Sequence, residues 1–190
     1  MIRPTASIRV LTAAALASTL LVSRAATALG TSRADFTLRL DLRPAPLIAG
    51  NRIATLTEAI RAFGRPARIV PLRASRHACR ASWPGLALAI DFSTTAPAAC
   101  SVTALGNWSE VIATDSPWHT TAGLRVADSS DRLHALYPTG RRLDFLHQGP
   151  LWELETGGPY CDGGPPLSLA ARVLDDRVTA LVIVHVPACG

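Results

Sequence analysis

The groups in this 190-residue chain that could do chemistry are five histidines, fourteen acidic side chains and a scattering of serines. A Ser-His-Asp hydrolase needs a nucleophile on a strained turn, an imidazole within hydrogen-bond reach and an oxyanion hole. The G-x-S-x-G elbow that would signal one does not occur. His119 stands beside Trp118, His134 falls in a helical stretch, and His147 sits in a turn next to Gln148. His77 and His185 occupy strand-like positions. All five read as solvated or structurally bonded imidazoles. Glu153 and Glu155, two residues apart, share one face of a regular strand, opposite Trp152 and Leu154. A glycosidase-type acid/base pair could form there, but a solvated strand face is the plainer reading. No catalytic residue and no cofactor is assigned.

The four cysteines, Cys79, Cys100, Cys161 and Cys189, include no C-x-x-C pair, and His77 is the imidazole nearest to them in sequence. No metal site is assigned, because zinc ligands usually come in such close pairs. An even number in an exported chain favours disulfides. Aromatic residues carry more information than the titratable ones. Trp83 and Trp152 read as core. Trp108, Trp118 and Tyr160 fall between strands, where an aromatic side chain can anchor a partner. They are the candidate binding residues. Asn107-Trp108-Ser109 also matches the glycosylation sequon, which matters only in a eukaryotic host.

Where the chain works follows from its first 28 residues. Arg3 and Arg9 precede an apolar run, Val10–Val22, and Ala26-Thr27-Ala28 supplies a small-x-small cleavage pattern. The run is shorter than the roughly 20 residues of a membrane span. A signal peptide cleaved near Ala28, leaving a secreted protein with no membrane attachment, is the expectation. From Leu29 onward 16 Arg stand against 14 acids, so the pI near 9.7 does not imply nucleic-acid binding. The charge is uneven, however. Residues 29–80 hold ten Arg and three acids, and residues 81–190 hold six Arg and eleven acids. Either the halves attract each other or the first presents an anion-binding surface. Every basic residue is Arg beside abundant Ala, which points to the coding bias of a GC-rich bacterial genome.

Two stretches organise the rest. Gly50–Pro66 and Gly123–Pro138 share Gly50/Gly123, Arg52/Arg125, Ala54/Ala127 and Ala62/Ala135, and Ile53/Val126, Thr57/Ser130, Glu58/Asp131, Ile60/Leu133 and Phe63/Leu136 match in character. In the first, Thr55-Leu56-Thr57-Glu58 is a capping box, Leu56, Ala59, Ile60 and Phe63 form one apolar stripe, and Gly64 and Pro66 end the helix. In the second, Asp128 is the expected cap of a helix over residues 128–136. Strands are predicted at Phe36–Leu42, Ala67–Leu72, Leu86–Phe92, Ser109–Thr114, Arg142–Leu146, Leu151–Glu155, Leu167–Leu174 and Val178–Val186. Asp175-Asp176 reads as a hairpin turn, and Val178–Val186, apolar on both faces, as a central strand. The Gly- and Pro-rich stretch Gly157–Pro166 reads as a loop.

Helices followed by runs of strands predict an α+β fold: two tandem repeats, each a short capped helix on an antiparallel meander of three to four strands. The expected domains are residues 29–115 and 116–190. The repeat selects Cys79–Cys100 and Cys161–Cys189 from the three possible pairings, one bridge in each half. The string G-x-x-[IV]-x-x-x-[ST]-[ED]-x-[IL]-x-x-[FL], with Gly64-Arg65-Pro66 closing the first copy, resembles the exported beta-lactamase-inhibitor-protein-like family. It also resembles the outer-membrane assembly lipoproteins of the SmpA/OmlA type. The first resemblance implies two helix-plus-sheet repeats forming a concave binding face; the second implies a single such unit. The chain is similar as well to secreted actinobacterial proteins, a likeness that implies no activity. Asn51-Arg52-Ile53 and Leu124-Arg125-Val126 stand where these families usually open with Gly-Met-Thr, and no functional residue is carried over. The expected function is a secreted binding or inhibitory module that meets an extracellular protein partner through a sheet face and aromatic-bearing loops. An extracellular hydrolase and a structural cell-envelope factor are the alternatives.

Overall fold

The computed structural model describes residues 36–39, 46–73, 75–96, 100–115, 117–145, 149–157 and 167–185. The leader, His147, Tyr160, Cys161 and Cys189 lie outside the described residues. Twelve strands and two helices follow one another among them. The strands are β1 (Thr37–Arg39), β2 (Leu47–Ile48), β3 (Asn51–Arg52), β4 (Arg68–Leu72), β5 (Ser75–Trp83), β6 (Leu88–Thr94), β7 (Leu105–Ala113), β8 (His119–Thr120), β9 (Arg141–Phe145), β10 (Gly149–Thr156), β11 (Leu167–Leu174) and β12 (Arg177–His185). Helix α1 (Leu56–Phe63) precedes β4, and α2 (Ser130–Leu136) precedes β9.

Helix α1 forms for the reason its sequence gives. Thr55 Oγ1 accepts from the Glu58 N–H at 3.3 Å, while Glu58 Oε2 accepts from the N–H groups of Ala54 and Thr55 at 2.7 and 3.0 Å. Those bonds, the one from Ala54 first, hold the Glu58 carboxyl below its usual value. Gly64 ends the helix at φ 78°, a backbone conformation that a Cβ would strain. Phe63 meets Trp83 of β5 edge-on at 6.0 Å, and the Trp83 indole donates to the Gly64 carbonyl.

Helix α2 starts one residue later than its echo of α1 predicts. Ala127 N–H donates to the Val178 carbonyl, Val178 N–H donates to the Asp128 carbonyl, and Ser129 bridges Arg177. Ser129 is thereby held extended beside β12 and becomes the cap in place of Asp128, its Oγ accepting from Arg132 N–H, while Ala127 turns the chain at φ 74°. The Asp128 carboxylate instead accepts from Arg125 N–H at 2.8 Å and pairs with Arg132.

Eight strands make one antiparallel sheet in the order β4-β5-β6-β7-β12-β11-β10-β9. Each helix is thus followed by four strands that run from an edge of the sheet to its centre, where β7 and β12 pair antiparallel. The central position read for Val178–Val186 holds. Asp175 and Asp176 link β11 to β12 with φ of 48° and 64°, the signs a type I′ hairpin requires. β5 has no counterpart among the predicted strands; its Arg- and Ser-rich pattern hides a strand that is interior in the sheet. The segment expected to begin with Phe36 does not join this sheet. β1 lies in a smaller mixed sheet, order β3-β2-β1-β8, with β2 antiparallel and β8 parallel to it.

The helices and the small sheet pack together on one face of the large sheet. Their Leu38, Ile48, Ile53, Leu56, Ala59, Trp118, Leu124 and Leu133 join Ile90 and Phe92 of β6, Val111 of β7, and Leu181 and Ile183 of β12 in one core.

Cys79 and Cys100 are bridged, with Cα atoms 5.6 Å apart. The bridge ties β5 to the chain just before β7 across a sequence separation of 21. Replacing both cysteines by serine should cost about 3 kcal/mol of stability, chiefly by freeing the unfolded chain. Urea unfolding with and without reductant measures it, and a loss below about 1 kcal/mol would contradict that account.

Candidate functional site

The second face of the large sheet holds the chemistry. Ile112, Leu151, Ala170, Ala180 and Val182 form a separate apolar cluster there, built among the described residues from sheet side chains alone. Strand register sets charged residues around it. One row runs Arg80, Asp91, Glu110, Val184, Ser168 across β5, β6, β7, β12 and β11. The next runs Ala89, Ile112, Val182, Ala170, Glu153, Arg141. Arg172 stands opposite Ala180 on β12 and Leu151 on β10.

Asp91, Glu110 and Glu153 are buried acids, an arrangement that demands partners. Arg80 grips Asp91 with two bonds, Nε to Oδ1 at 2.7 Å and Nη2 to Oδ2 at 2.8 Å. This is the bidentate geometry that makes arginine the preferred partner of a buried carboxylate, and it raises the Arg80 guanidinium above its ordinary value. With its fork committed there, Arg80 reaches Glu110 only at 3.9 Å. Arg172 stands 4.0 Å from Glu110 Oε1, too far for a hydrogen bond. Glu110 Oε1 and Arg172 Nε are accordingly buried without hydrogen-bond partners. Burial first, and the neighbouring Asp91 charge second, push the Glu110 carboxyl up to about 7, against the weaker pull of the two arginines. A second anchored pair lies toward the β9 edge: Glu153 accepts from Arg141 Nε and from Ser168 Oγ, each at 2.5 Å.

Arg80, Arg172 and Arg141 keep 36%, 30% and 52% of their side chains exposed, whereas the carboxylates beneath them keep 9% or less. The face therefore presents guanidinium groups from a buried acidic footing. Such an arrangement can hold anionic or amide groups of a partner. The Asp91–Glu110 pair, one acid gripped and one lifted toward neutrality, is also what acid/base chemistry requires.

The candidate binding aromatics are placed otherwise than expected. Trp108 lies within β7, not in a loop, is 5% exposed, and stacks on His185 at 4.8 Å. Trp118 is fully buried; its ring meets Phe36 edge-on at 5.1 Å and its Nε1 donates to the Leu86 carbonyl. Both indoles are interior because the small sheet and β12 close over positions that look like loop in sequence. Trp83 is core as read, and half-buried Trp152 packs against His134 of α2. His119 contacts the Thr120 carbonyl through Nδ1, and His77 is exposed on β5.

Glu153 and Glu155 do not share a face. A register shift between them leaves Glu153 opposite Ala170 on the second face and Glu155 opposite Leu169 on the first. There Glu155 accepts from Tyr137 OH at 3.3 Å, and burial pushes that phenol up to about 12. Neither glutamate is a solvated strand residue of the kind expected, and an open cleft of about 400 Å³ borders both, together with Thr139 and Arg141.

Asp91, Glu110 and Arg80 were not singled out from the sequence. The available signal was a lone acid in each of two apolar strands, Asp91 in Leu88–Phe92 and Glu110 before Val111 and Ile112. An acid so placed needs a cation from a neighbouring strand, and only the register names it.

No known protein family matches the chain, and no curated protein matches its sequence. Among solved structures it is similar to "1.5 Angstrom resolution crystal structure of an extracellular protein containing a SCP domain from Bacillus anthracis str. Ames", with TM-score 0.42 and 9% identity over 77% of this chain. The chain spans 48% of that protein's length. Among the described residues no group of three or more His, Cys, Asp or Glu could hold a metal ion.

The Glu110 shift has a signed consequence for stability. The unfolded carboxyl ionises near its ordinary value of 4.5 and the folded one near 7, so the folded state holds its proton longer. The contribution of Glu110 to stability should therefore be fully present below about pH 4.5, fall as pH rises toward 7, and stay lower above it by up to about 3 kcal/mol. Glu110→Gln, neutral at every pH, should remove this fall and be more stable than the parent at pH 8. Urea titrations across that range read it; a variant less stable at pH 8 would show that the ionised carboxylate holds the face together.

Proposed function

We propose that this chain is a secreted, non-enzymatic binding or inhibitory module that recognises a protein partner through the second face of its large sheet. The observation that carries the reading is the set of three arginines, Arg80, Arg141 and Arg172, aimed outward from a rigid sheet above buried carboxylates. Arginine is enriched among residues that dominate interfaces, and a side chain already fixed loses less freedom on binding. Beneath these arginines Glu110 Oε1 and Arg172 Nε are buried without hydrogen-bond partners, a polar gap under the face. Recognition through Trp108 and Trp118 has no support from their buried positions.

The Cys79–Cys100 bridge supports work in an oxidising compartment, in keeping with a signal peptide removed near Ala28. On this reading residues 29–115 and 116–190 are copies of one helix-and-meander unit. Gly50 and Gly123 both adopt positive φ, 75° and 87°, and Ile53 and Val126 after them are both buried, which supports the duplication. A hydrolase remains the second reading, favoured by the lifted Glu110 carboxyl beside Asp91.

Immobilised mature protein, exposed to extracellular proteins of its own source, should retain a partner that Arg172→Glu and Arg80→Glu release and Arg132→Glu does not. Retention indifferent to the first two substitutions would exclude the second face. Turnover of any substrate that Glu110→Gln abolishes would replace the binding reading with the hydrolase.

A further inference from the structure

Between Glu58 and Asp91 the sequence has no acidic residue and six arginines. Arg80 is bound to Asp91, but the other five, Arg61, Arg65, Arg68, Arg73 and Arg76, are all exposed. No ion pair between described residues involves any of them. The fold gathers them at one edge of the large sheet. Arg61 is in the last turn of α1, Arg65 follows the Gly64 cap, Arg68 opens edge strand β4, Arg73 lies in the β4–β5 turn, and Arg76 is on β5. Glu58, the acid nearest them in sequence, accepts from the Ala54 and Thr55 amides and also attracts Arg61, one turn further along α1. Like charges spaced along one edge favour an anion that can meet several of them at once.

We propose that this edge binds a flexible linear polyanion with phosphates in its backbone and no stacking bases. Three observations choose that chemistry. Arg68 lies opposite Ser82 on the second face, whereas Arg61 rides on the helix covering the first, so the charges wrap an edge. A flexible chain can follow an edge that a flat lipid surface meets only in part. The large apolar side chains exposed among the described residues, Val102 and Leu174, lie on other elements, so nothing apolar stands ready to insert into a bilayer. Of the edge's aromatics, Phe63 and Trp83 pack against each other, and the exposed ring beside Arg76 is the small imidazole of His77, which offers a base less stacking area than an indole or phenyl ring. β4 runs roughly 17 Å at ~3.3 Å per residue, and guanidinium forks bind phosphate oxygens bidentately. Pro71 removes one donor from β4, which makes the edge a poor template for an added protein strand.

The test is fluorescence anisotropy of labelled long-chain inorganic polyphosphate against the mature protein at several salt concentrations. Binding should weaken at least tenfold in Arg65→Ala/Arg68→Ala/Arg73→Ala, and the slope of log affinity against log salt should shrink by about 2. The control Arg125→Ala/Arg132→Ala/Arg177→Ala removes equal charge elsewhere and should change affinity no more than about twofold. Should the first triple variant not fold, Arg65→Ala and Arg73→Ala alone carry the test, each expected to lower the slope by about 0.7. The proposal is overturned by no binding at low salt, by equal loss in the control, by tighter binding of single-stranded DNA, or by binding to anionic phospholipid vesicles without binding to polyphosphate.

Discussion

Four cross-strand pairs, from Ala113 with Leu181 to Glu110 with Val184, join β7 to β12 and make one sheet out of two meanders. Without that seam each helix would lie on four strands with an unpaired edge, a template for aggregation. With it β7 and β12 sit at the centre, Val111 and Ile183 feeding the main core and Ile112 and Val182 the second face. The seam also brings Glu110 and Arg172 onto one surface although 62 positions separate them in sequence. The approach of Arg172 to Glu110 depends on this join, whereas Arg80–Asp91 and Arg141–Glu153 are each set within one meander.

The charges on the second face obey a simple rule of burial. A carboxylate within a sheet is tolerated only beside a cation that can reach it with good geometry. Asp91 and Glu153 satisfy the rule through Arg80 and Arg141. Glu110 satisfies it only in part, and its raised pKa is the result. A structural network would be expected to close such a gap with a hydrogen bond. Glu110 Oε1 and Arg172 Nε instead stay buried in the face without hydrogen bonds.

The α+β class, helix α1 with its capping box, the hairpin at Asp175-Asp176 and the central place of β12 were all legible in the sequence. Each rests on local chemistry: an N-terminal cap, a turn needing two positive φ values, an apolar run. The failures were equally physical. α2 begins at Ser130 because the bonds of Ala127 and Asp128 to Val178 tie the chain to β12 and leave Ser129 extended. Trp118 reads as loop from its neighbours but is covered by Phe36, which comes from 82 positions upstream. Glu153 and Glu155 part company at a bulge, which shifts alternation by one residue and leaves no mark in composition.

By itself the sequence determined the kinds of element, the places where helices begin or stop, the Cys79–Cys100 pairing within one half, and the acid-free run of arginines. Those properties depend on residues close together along the chain. The tertiary structure decided which indoles are interior, which arginine answers which acid, and that the arginines of the first half divide between a paired set on the sheet and an unpaired set at its edge. Register and the β7–β12 seam set these, because a one-residue slip in either strand would turn Glu110 from one face to the other.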